Sequence, residues 1–431
     1  MAYTETSYTG YGTRVKNSFK AIGTGFVLFL GGTALLWWNE GRAVKTDDML
    51  NEAEAVTVLM ENPNKLDNSL EGELACATAF ATTEDSLIDQ QFGFGAKAIA
   101  IKRAVRYYQW EEHAKTEKKD KLGGKEETVT TYTYTKGWTT NPINSASFHD
   151  PQYKRKNFVL TTVEAGDVWA QNVTFGAYTL PESLIHSISS SEPLKPTIAP
   201  EQLESMDNQI REVALREYDR LSMTSALESG MKKRNAEGRE FVHVTDNGLY
   251  FGSVPSSPEV GDVKVTFEKI VPAKVTLIAK VNGNTFEPYK AKNGYTFQTL
   301  VMGEKDAAEI YESEHETNTI MLWAFRIIGI LMVIGGLKGI FGFIETILKV
   351  VPFVAGIFGW GVGVVCTIVG IVWSLIIIAI AWLFYRPILA ICLLAIAAFL
   401  IWVFAFKGKD KLKELAANAR NKNVAQTPES V

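Results

Sequence analysis

From Val351 to Tyr385 the chain carries no ionised residue. A helix needs about 20 residues to cross a hydrocarbon core about 30 Å thick, so this run is long enough to span and too long for one perpendicular helix. Pro352 and the stretch GWGVG at Gly359–Gly363 offer a break. Val351–Trp360 therefore reads as a re-entrant or interfacial entry and Gly361–Phe384 as a span, together residues 351–384. Tyr385-Arg386-Pro387 stops it with an aromatic, a charge and a helix breaker. Ile388–Phe406 follows as a further span, and Ile320–Leu337, apolar apart from Arg326, precedes both.

Near the other end, Arg14, Lys16 and Lys20 lead into AIGTGFVLFLGGTALLWW. The apolar run is longer than the core of a signal peptide, and cleavage near Thr33-Ala34 would leave Leu35–Trp38 as an apolar stub. Trp37 and Trp38 suit a membrane interface, where an indole keeps its ring among acyl chains and its N–H among headgroups. Residues 19–38 are thus expected to be a permanent first span.

Four spans are expected: 19–38, 320–337, 351–384 and 388–406. Short-loop basic residues then gather on one side: Arg14, Lys16 and Lys20; Lys338 and Lys349; and Lys407, Lys409, Lys411 and Lys413. The positive-inside rule makes that side cytoplasmic, placing tails 1–18 and 407–431 there and translocating the large insert between spans one and two.

The insert has a mixed composition. LACATAFA, AVRYYQW, TVTTYTYT, VKVTFEKI and KVTLIAKV are rich in β-branched and aromatic residues, several alternating with polar ones. Asn247-Gly248, Asn282-Gly283 and Asn293-Gly294 predict hairpin turns. Glu201–Leu221 has apolar residues near helical spacing and predicts an amphipathic helix packed on a sheet. Ser187–Pro200, with three prolines, reads as a linker between a first β-rich half, 45–190, and a second half of helix plus strands, 191–319. The charged run Glu111–Thr128 reads as a solvated hairpin tip or loop. The expected fold class is a multispan α-helical membrane protein carrying a large β-rich α+β extramembrane domain between spans one and two.

Signals for catalysis are sparse. His113, His149, His186, His243 and His315 stand singly, with no spacing that gathers a metal. Cys76 is alone in the insert, while Cys366 and Cys392 fall within expected spans. Ser229 and Lys232 form an isolated Ser-x-x-Lys. There is no phosphate-cradling glycine loop and no basic patch suited to nucleic acid, in keeping with a net charge of -4. Asn172, in NVT, is a glycosylation acceptor if the insert enters a secretory lumen. No enzyme activity, cofactor or metal is expected. Two features of the spans remain. Arg326 has no acidic partner within the expected spans and reads as a snorkelling anchor, or alternatively as a residue lining a transport pathway. Gly335-x-x-x-Gly339 and Gly359-x-x-x-Gly363 have spacings at which helices approach closely.

Four stretches, WWNEGRAVKT (Trp37–Thr46), RYYQWEEH (Arg106–His113), PEVGDVKVTF (Pro258–Phe267) and AWLFYRP (Ala381–Pro387), closely resemble landmarks of the LUMA family, transmembrane protein 43 and its bacterial relatives. The resemblance runs in family order from Gly25 to about Lys407. It implies one N-terminal span, a large lumenal domain and a C-terminal cluster of spans, with no defined catalytic residues. Trp38, Asn39, Glu40, Gly41, Arg42, Tyr385, Arg386 and Pro387 match named landmarks and carry a structural role by that resemblance. Its animal members sit in the endoplasmic reticulum and inner nuclear membrane, self-associate and contact envelope proteins including emerin and lamins; a bacterial member would sit in the inner membrane. Glu40 and Arg42 are expected either to pair with each other or with the Tyr385-Arg386-Pro387 turn, or to form a solvated boundary. The expected function is a non-enzymatic membrane organiser that self-associates through its spans and presents its domain to other membrane or envelope proteins, the alternative being a transporter or channel component using Arg326.

Overall fold

The computed structural model describes residues 2–222, 238–348, 352–387 and 391, with the backbone alone described over 352–360. The described chain divides into two units. One is β-rich and comprises Met1–Arg14 and Asp48–Glu316; the other is helical and comprises Val15–Asp47, Thr317–Leu348 and the described residues from Phe353 onward.

Three described helices are long and apolar enough to cross a membrane. With a single-turn α2 (Glu182–Ile185) and α3 (Pro200–Ser222) between them, they are α1 (Tyr11–Val56), α4 (Ala307–Leu348) and α5 (Pro352–Tyr385). The break expected at GWGVG is not there: α5 runs through it, and Pro352 opens the helix, where its missing N–H is no loss. The expected fourth span, Ile388–Phe406, lies outside the described residues, apart from Ile391.

The strands of the first part of the chain are β1 (Tyr3–Thr9), β2 (Val58–Leu59), β3 (Leu74–Thr83), β4 (Ser86–Ile88), β5 (Gly95–Lys97), β6 (Ala100–Asp120) and β7 (Glu126–Thr139). Next come β8 (Gly166–Trp169), β9 (Val173–Phe175), β10 (Tyr178–Thr179) and β11 (Ser191–Pro193). Beyond α3 lie β12 (Val242–Thr245), β13 (Gly248–Phe251), β14 (Val263–Ile270), β15 (Ala273–Asn282), β16 (Thr285–Glu287), β17 (Tyr289–Lys290), β18 (Thr296–Phe297) and β19 (Thr299–Met302).

One sheet follows the order β19-β15-β16-β10-β9-β3-β2, and an added β15–β3 pairing closes β3, β9, β10, β16 and β15 into a ring. The residues explain the closure. Along LACATAFA, alternate positions Ala75, Ala77, Ala79 and Ala81 point into the ring, and their small volume leaves room for Phe175, Tyr178 and Phe286. The opposite face of β3 and β15 presents Cys76 and Ile278 to Met49, Leu50 and Ala53 of α1 and to Ile310 and Tyr311 of α4. Burial there pushes the Cys76 thiol up to about 11, so it stays an unreactive thiol at neutral pH.

The other sheet has the order β1-β7-β6-β14-β13-β12, with β8 joining β6 and β11 joining β14. The helix expected over Glu201–Leu221 is α3; its Ile210, Ala214 and Tyr218 lie in a core with Val105, Tyr107, Phe241, Leu249, Val265 and Phe267. Two readings are corrected here. The β-rich segments before and after α3 are not separate halves, because β3 pairs with β15 and β6 with β14. Ser187–Pro200 is no simple linker either, since β11 within it pairs with β14.

Glu111–Thr128 is a hairpin end, but its strands are far longer than a loop: β6 and β7 stay paired from Tyr107–Thr139 out to Asp120–Glu126. β1 then adds to β7 over seven pairs, Tyr3–Tyr132 to Thr9–Glu126. The N-terminal tail was expected across a membrane from this segment. Hydrogen-bonded strands cannot have a bilayer between them, so the pairing of β1 with β7 does not fit that placement.

A loop after β7 packs on the hairpin through charge and stacking. Glu112 accepts from the Tyr134 hydroxyl at 2.6 Å and the His149 amide at 2.7 Å, and its second oxygen lies 2.9 Å from His149 Nδ1. The Tyr134 and Tyr153 rings stack with centroids 4.1 Å apart. Burial raises the Glu112 pKa, but the hydrogen bonds from Tyr134 and His149 more than reverse this and hold it below the usual carboxylate range. A carboxyl depressed on folding contributes stability that is full above its unfolded pKa and lost as pH falls through its folded one. Thermal unfolding between pH 6 and pH 3 should therefore show a smaller acid loss for Glu112→Gln than for the parent; equal losses would show that the Glu112 contacts carry none of it.

Candidate functional site

In the helical unit α1 and α4 run antiparallel in a register set by glycine. Gly25 and Gly32 on α1 are seven residues apart, as are Gly329 and Gly336 on α4. A Cβ built on Gly336 would lie 2.5 Å from the Phe29 amide nitrogen and 2.7 Å from the Gly25 carbonyl oxygen. One built on Gly32 would lie 2.9 Å from the Gly329 carbonyl oxygen. Without side chains at these points the two backbones touch, which is how membrane helices gain attraction when lipid tails are as apolar as their own surfaces.

Continuing that register by seven more residues brings Asn39 to Leu322, and there the seam turns polar. Asn39 is fully buried and donates to the Leu322 carbonyl at 2.9 Å; Asn318 donates to the Ala43 carbonyl at 2.9 Å. Arg42 donates to the side-chain oxygens of Asn318 at 3.0 Å and of Asn39 at 3.3 and 3.4 Å. Each amide thus ties a main-chain carbonyl of the facing helix and presents its oxygen to one guanidinium.

One turn from this layer is the charge pair on which the unit is centred. Arg326 Nε and Nη2 meet Glu40 Oε1 and Oε2 at 2.6 and 2.8 Å, a forked geometry, and the Trp382 indole N–H of α5 donates to Oε2 at 2.9 Å. Glu40 is 2 % exposed and Arg326 8 %. The Arg326 guanidinium also lies 4.9 Å from the Trp323 ring centroid. Three helices therefore converge on one carboxylate, both of whose oxygens are engaged. No acidic residue was expected for Arg326 within the spans, and its partner, Glu40, indeed stands on α1 just beyond the expected span 19–38.

The rest of the motif packs around that pair. Trp37 meets Phe384 and Tyr385 with ring centroids 5.6 and 5.9 Å away, and Trp38 meets Phe325 edge-on at 5.9 Å. A Cβ on Gly41 would lie 2.5 Å from Cζ of Tyr385, so only glycine admits that ring. Arg386, the first residue past α5, lies 3.5 Å from Asp47, and Pro387 follows it. The contact between WWNEGR and the Tyr385-Arg386-Pro387 turn is thus made by Trp37 and Gly41, with Asp47 of the same helix meeting Arg386; Glu40 and Arg42 turn instead to α4, with Trp382 joining Glu40.

Of the glycines expected to mediate packing, Gly339 lies against Gly25, a built Cβ being 3.1 Å from its Cα. Among the described residues nothing lies within 4 Å of a Cβ built on Gly335 or Gly363. Gly359 lies in the stretch of α5 whose backbone alone is described. The close contacts missed from sequence are Gly25, Gly32, Gly329, Gly336 and also Gly370, which meets Ile334. Their signal was the seven-residue repeat on two helices, which a search for four-residue spacing passes over.

Chemistry elsewhere is limited. Ser229 and Lys232 lie outside the described residues. Among the described residues no group of three His, Cys, Asp or Glu side chains is placed to hold a metal. Asn172 is bound through its side-chain amide to Asp85 at 3.1 Å. A cavity of about 460 Å³ between α4 and α5 is lined by Leu337, Phe341, Ile344, Val362, Val365 and Val369, with Cys366 and Gly361, and offers no convergent polar groups.

A buried pair broken on one side leaves an uncompensated charge, at a cost of about 3–5 kcal/mol, whereas removing both partners costs much less. Glu40→Gln and Arg326→Gln should each lower the thermal stability of the full-length protein in mild detergent, and the double variant should be more stable than the sum of the two losses. Additive losses would mean that the pair is not coupled. A second contrast concerns glycine: Gly336→Ala should destabilise strongly because backbone atoms block its Cβ, while Gly335→Ala should be neutral or slightly stabilising. Equal melting shifts for the two would refute the register.

The family model described as transmembrane protein 43 matches residues 107–387. The chain is similar to transmembrane protein 43 of Homo sapiens, 26% identical over 401 residues covering 91% of each chain. It is similar to that of Rattus norvegicus, 26% identical over 393 residues covering 88% of each. The homolog from Drosophila melanogaster is 24% identical over 381 residues, 87% of this chain and 91% of the fly protein. No solved structure matches the chain. With the family model spanning well over half its length, the chain belongs to the transmembrane protein 43 family.

Proposed function

We propose that this protein is a non-enzymatic membrane organiser, which self-associates through its membrane helices and presents its β-rich unit to other membrane or envelope proteins. The observation that carries the reading is the closed state of the Glu40–Arg326–Trp382 cluster. Intramembrane charges that serve a transport pathway face a water-filled cavity or await a substrate. Here both carboxylate oxygens are taken by donors of the same chain, and their effect is to hold three helices together. Arg326 at 8 % exposure is badly placed to line a route for ions.

Self-association is supported by the small residues left over. Among the described residues nothing lies within 4 Å of Gly335 or Gly363, so a second copy can approach the helix backbone there without meeting a described side chain. Sedimentation of the detergent-solubilised parent should show a dimer or larger species, and Gly335→Leu with Gly363→Leu should reduce its size while leaving the melting temperature nearly unchanged. A monomeric parent, or an unaltered size in the variant, would remove the basis for assembly through these helices.

A further inference from the structure

β1 is held to the β-rich unit along its whole length and just beyond. Its seven pairs with β7 begin at Tyr3, whose ring lies 6.3 Å from that of Tyr132, and end at Thr9 opposite Glu126. Past the strand, Arg14 lies 2.7 Å from Asp120 and 3.4 Å from Glu126, and donates to the Gly124 carbonyl at 3.0 Å. The chain then enters the apolar stretch Ala21–Trp38 of α1 and returns to the same β-rich unit at Asp48.

A bilayer is incompatible with this closure. When Ala21–Trp38 crosses, Lys20 and Asn39 stand on opposite faces, so β1 is separated from everything after Asp48 by about 30 Å of hydrocarbon. The hairpin cannot bridge that layer to keep its third strand. Between Tyr107 and the turn, β6 carries Glu111, Glu112, Lys115, Glu117, Lys118 and Lys119, and the outer edge of β1 would expose unpaired backbone N–H and C=O groups to lipid. Open sheet edges and solvated charges are both excluded from the bilayer core.

We propose that pairing of β1 with β7 and membrane crossing by Ala21–Trp38 are mutually exclusive states of this chain. β1 is paired in the chain before insertion, where Arg14 joins the hairpin turn, and is released when the first apolar segment crosses. The N-terminal strand thereby acts as a check on insertion: α1 crosses only at the expense of the seven strand pairs and the Arg14 ion pairs.

The test places cysteines at the facing positions Thr6 and Val129, with Thr116 and Thr130 as a control pair within the hairpin, in a background lacking Cys76, Cys366 and Cys392. Facing residues of antiparallel strands are close enough for a disulfide. The full-length chain is synthesised cell-free with chaperones and no membranes, or with sealed phospholipid vesicles, then oxidised and run without reductant. The Thr6→Cys, Val129→Cys disulfide should form without membranes and fall at least tenfold in the carbonate-resistant vesicle fraction, while the control pair forms in both. Equal yields of the first disulfide in both conditions, or none without membranes while the control forms, would overturn the proposal. A second reading is independent of disulfide formation. In vesicles, single cysteines at Thr6 and Thr128 should react with a membrane-impermeant thiol reagent from opposite sides; labelling from one side would overturn it equally.

Discussion

The helical unit depends on where one carboxylate finds its donors. Glu40 and Arg326 each lose the solvation of water, and a buried pair regains that loss only when its geometry is close and its remaining lone pairs are filled. The fork to Arg326 and the indole N–H of Trp382 meet both conditions. Such a pair adds little over an apolar replacement, but it is intolerant of error. Sliding α4 along α1 by one turn, about 5.4 Å, would leave two unpaired charges and two amides without their carbonyls. The ion pair therefore selects one helix register among several that glycine and leucine alone would accept.

Attraction and selection are accordingly divided along α1. Below Asn39 the seam is glycine on glycine, where backbones pack closely; from Asn39 to Ala43 it is hydrogen bonds and charge. The sequence showed the polar half clearly as residues and poorly as contacts. WWNEGR read as a boundary, so Glu40 was placed outside the span and Arg326 was left without a partner. An antiparallel register supplies the missing link, since Glu40 lies just past the C-terminal end of its apolar run and Arg326 near the N-terminal end of its own. The glycine half failed for a narrower reason. Gly335 and Gly336 are adjacent, but one residue turns a side position by about 100° around a helix, and the four-residue pattern selected the outward one.

In the β-rich unit, local chemistry was legible and pairing was not. Asn247-Gly248, Asn282-Gly283 and Asn293-Gly294 all stand at tight connections between successive strands, and LACATAFA forms the expected strand. Nothing in either segment says that β3 must close a ring with β15, or that β6 must pair with β14 more than a hundred residues away. Such contacts are fixed by shape: four alanines on one strand demand large side chains opposite, and Phe175, Tyr178 and Phe286 supply them. The hairpin was underestimated because its charges suggested a loop, although threonine, valine and tyrosine in TVTTYTYT favour strand strongly.

The same charges bear on how that hairpin survives with a bare edge. β1 covers β7 from Glu126 to Tyr132, and a strand edge left open is a template for unwanted pairing. Natural edges are protected by charge, and the distal hairpin has it in both signs: Glu126 and Glu127 lie on β7 itself, bridged to Lys118 and Lys121 at 3.1 and 2.8 Å. A foreign strand entering beside β7 would have to accommodate these pairs. β1 does so with residues suited to the place, since Tyr8 donates to Glu127 at 3.0 Å and Arg14 meets Glu126. An edge protected by charge and fitted to one particular strand can hold that strand or stand without it, which is the property that a reversible N-terminal pairing requires.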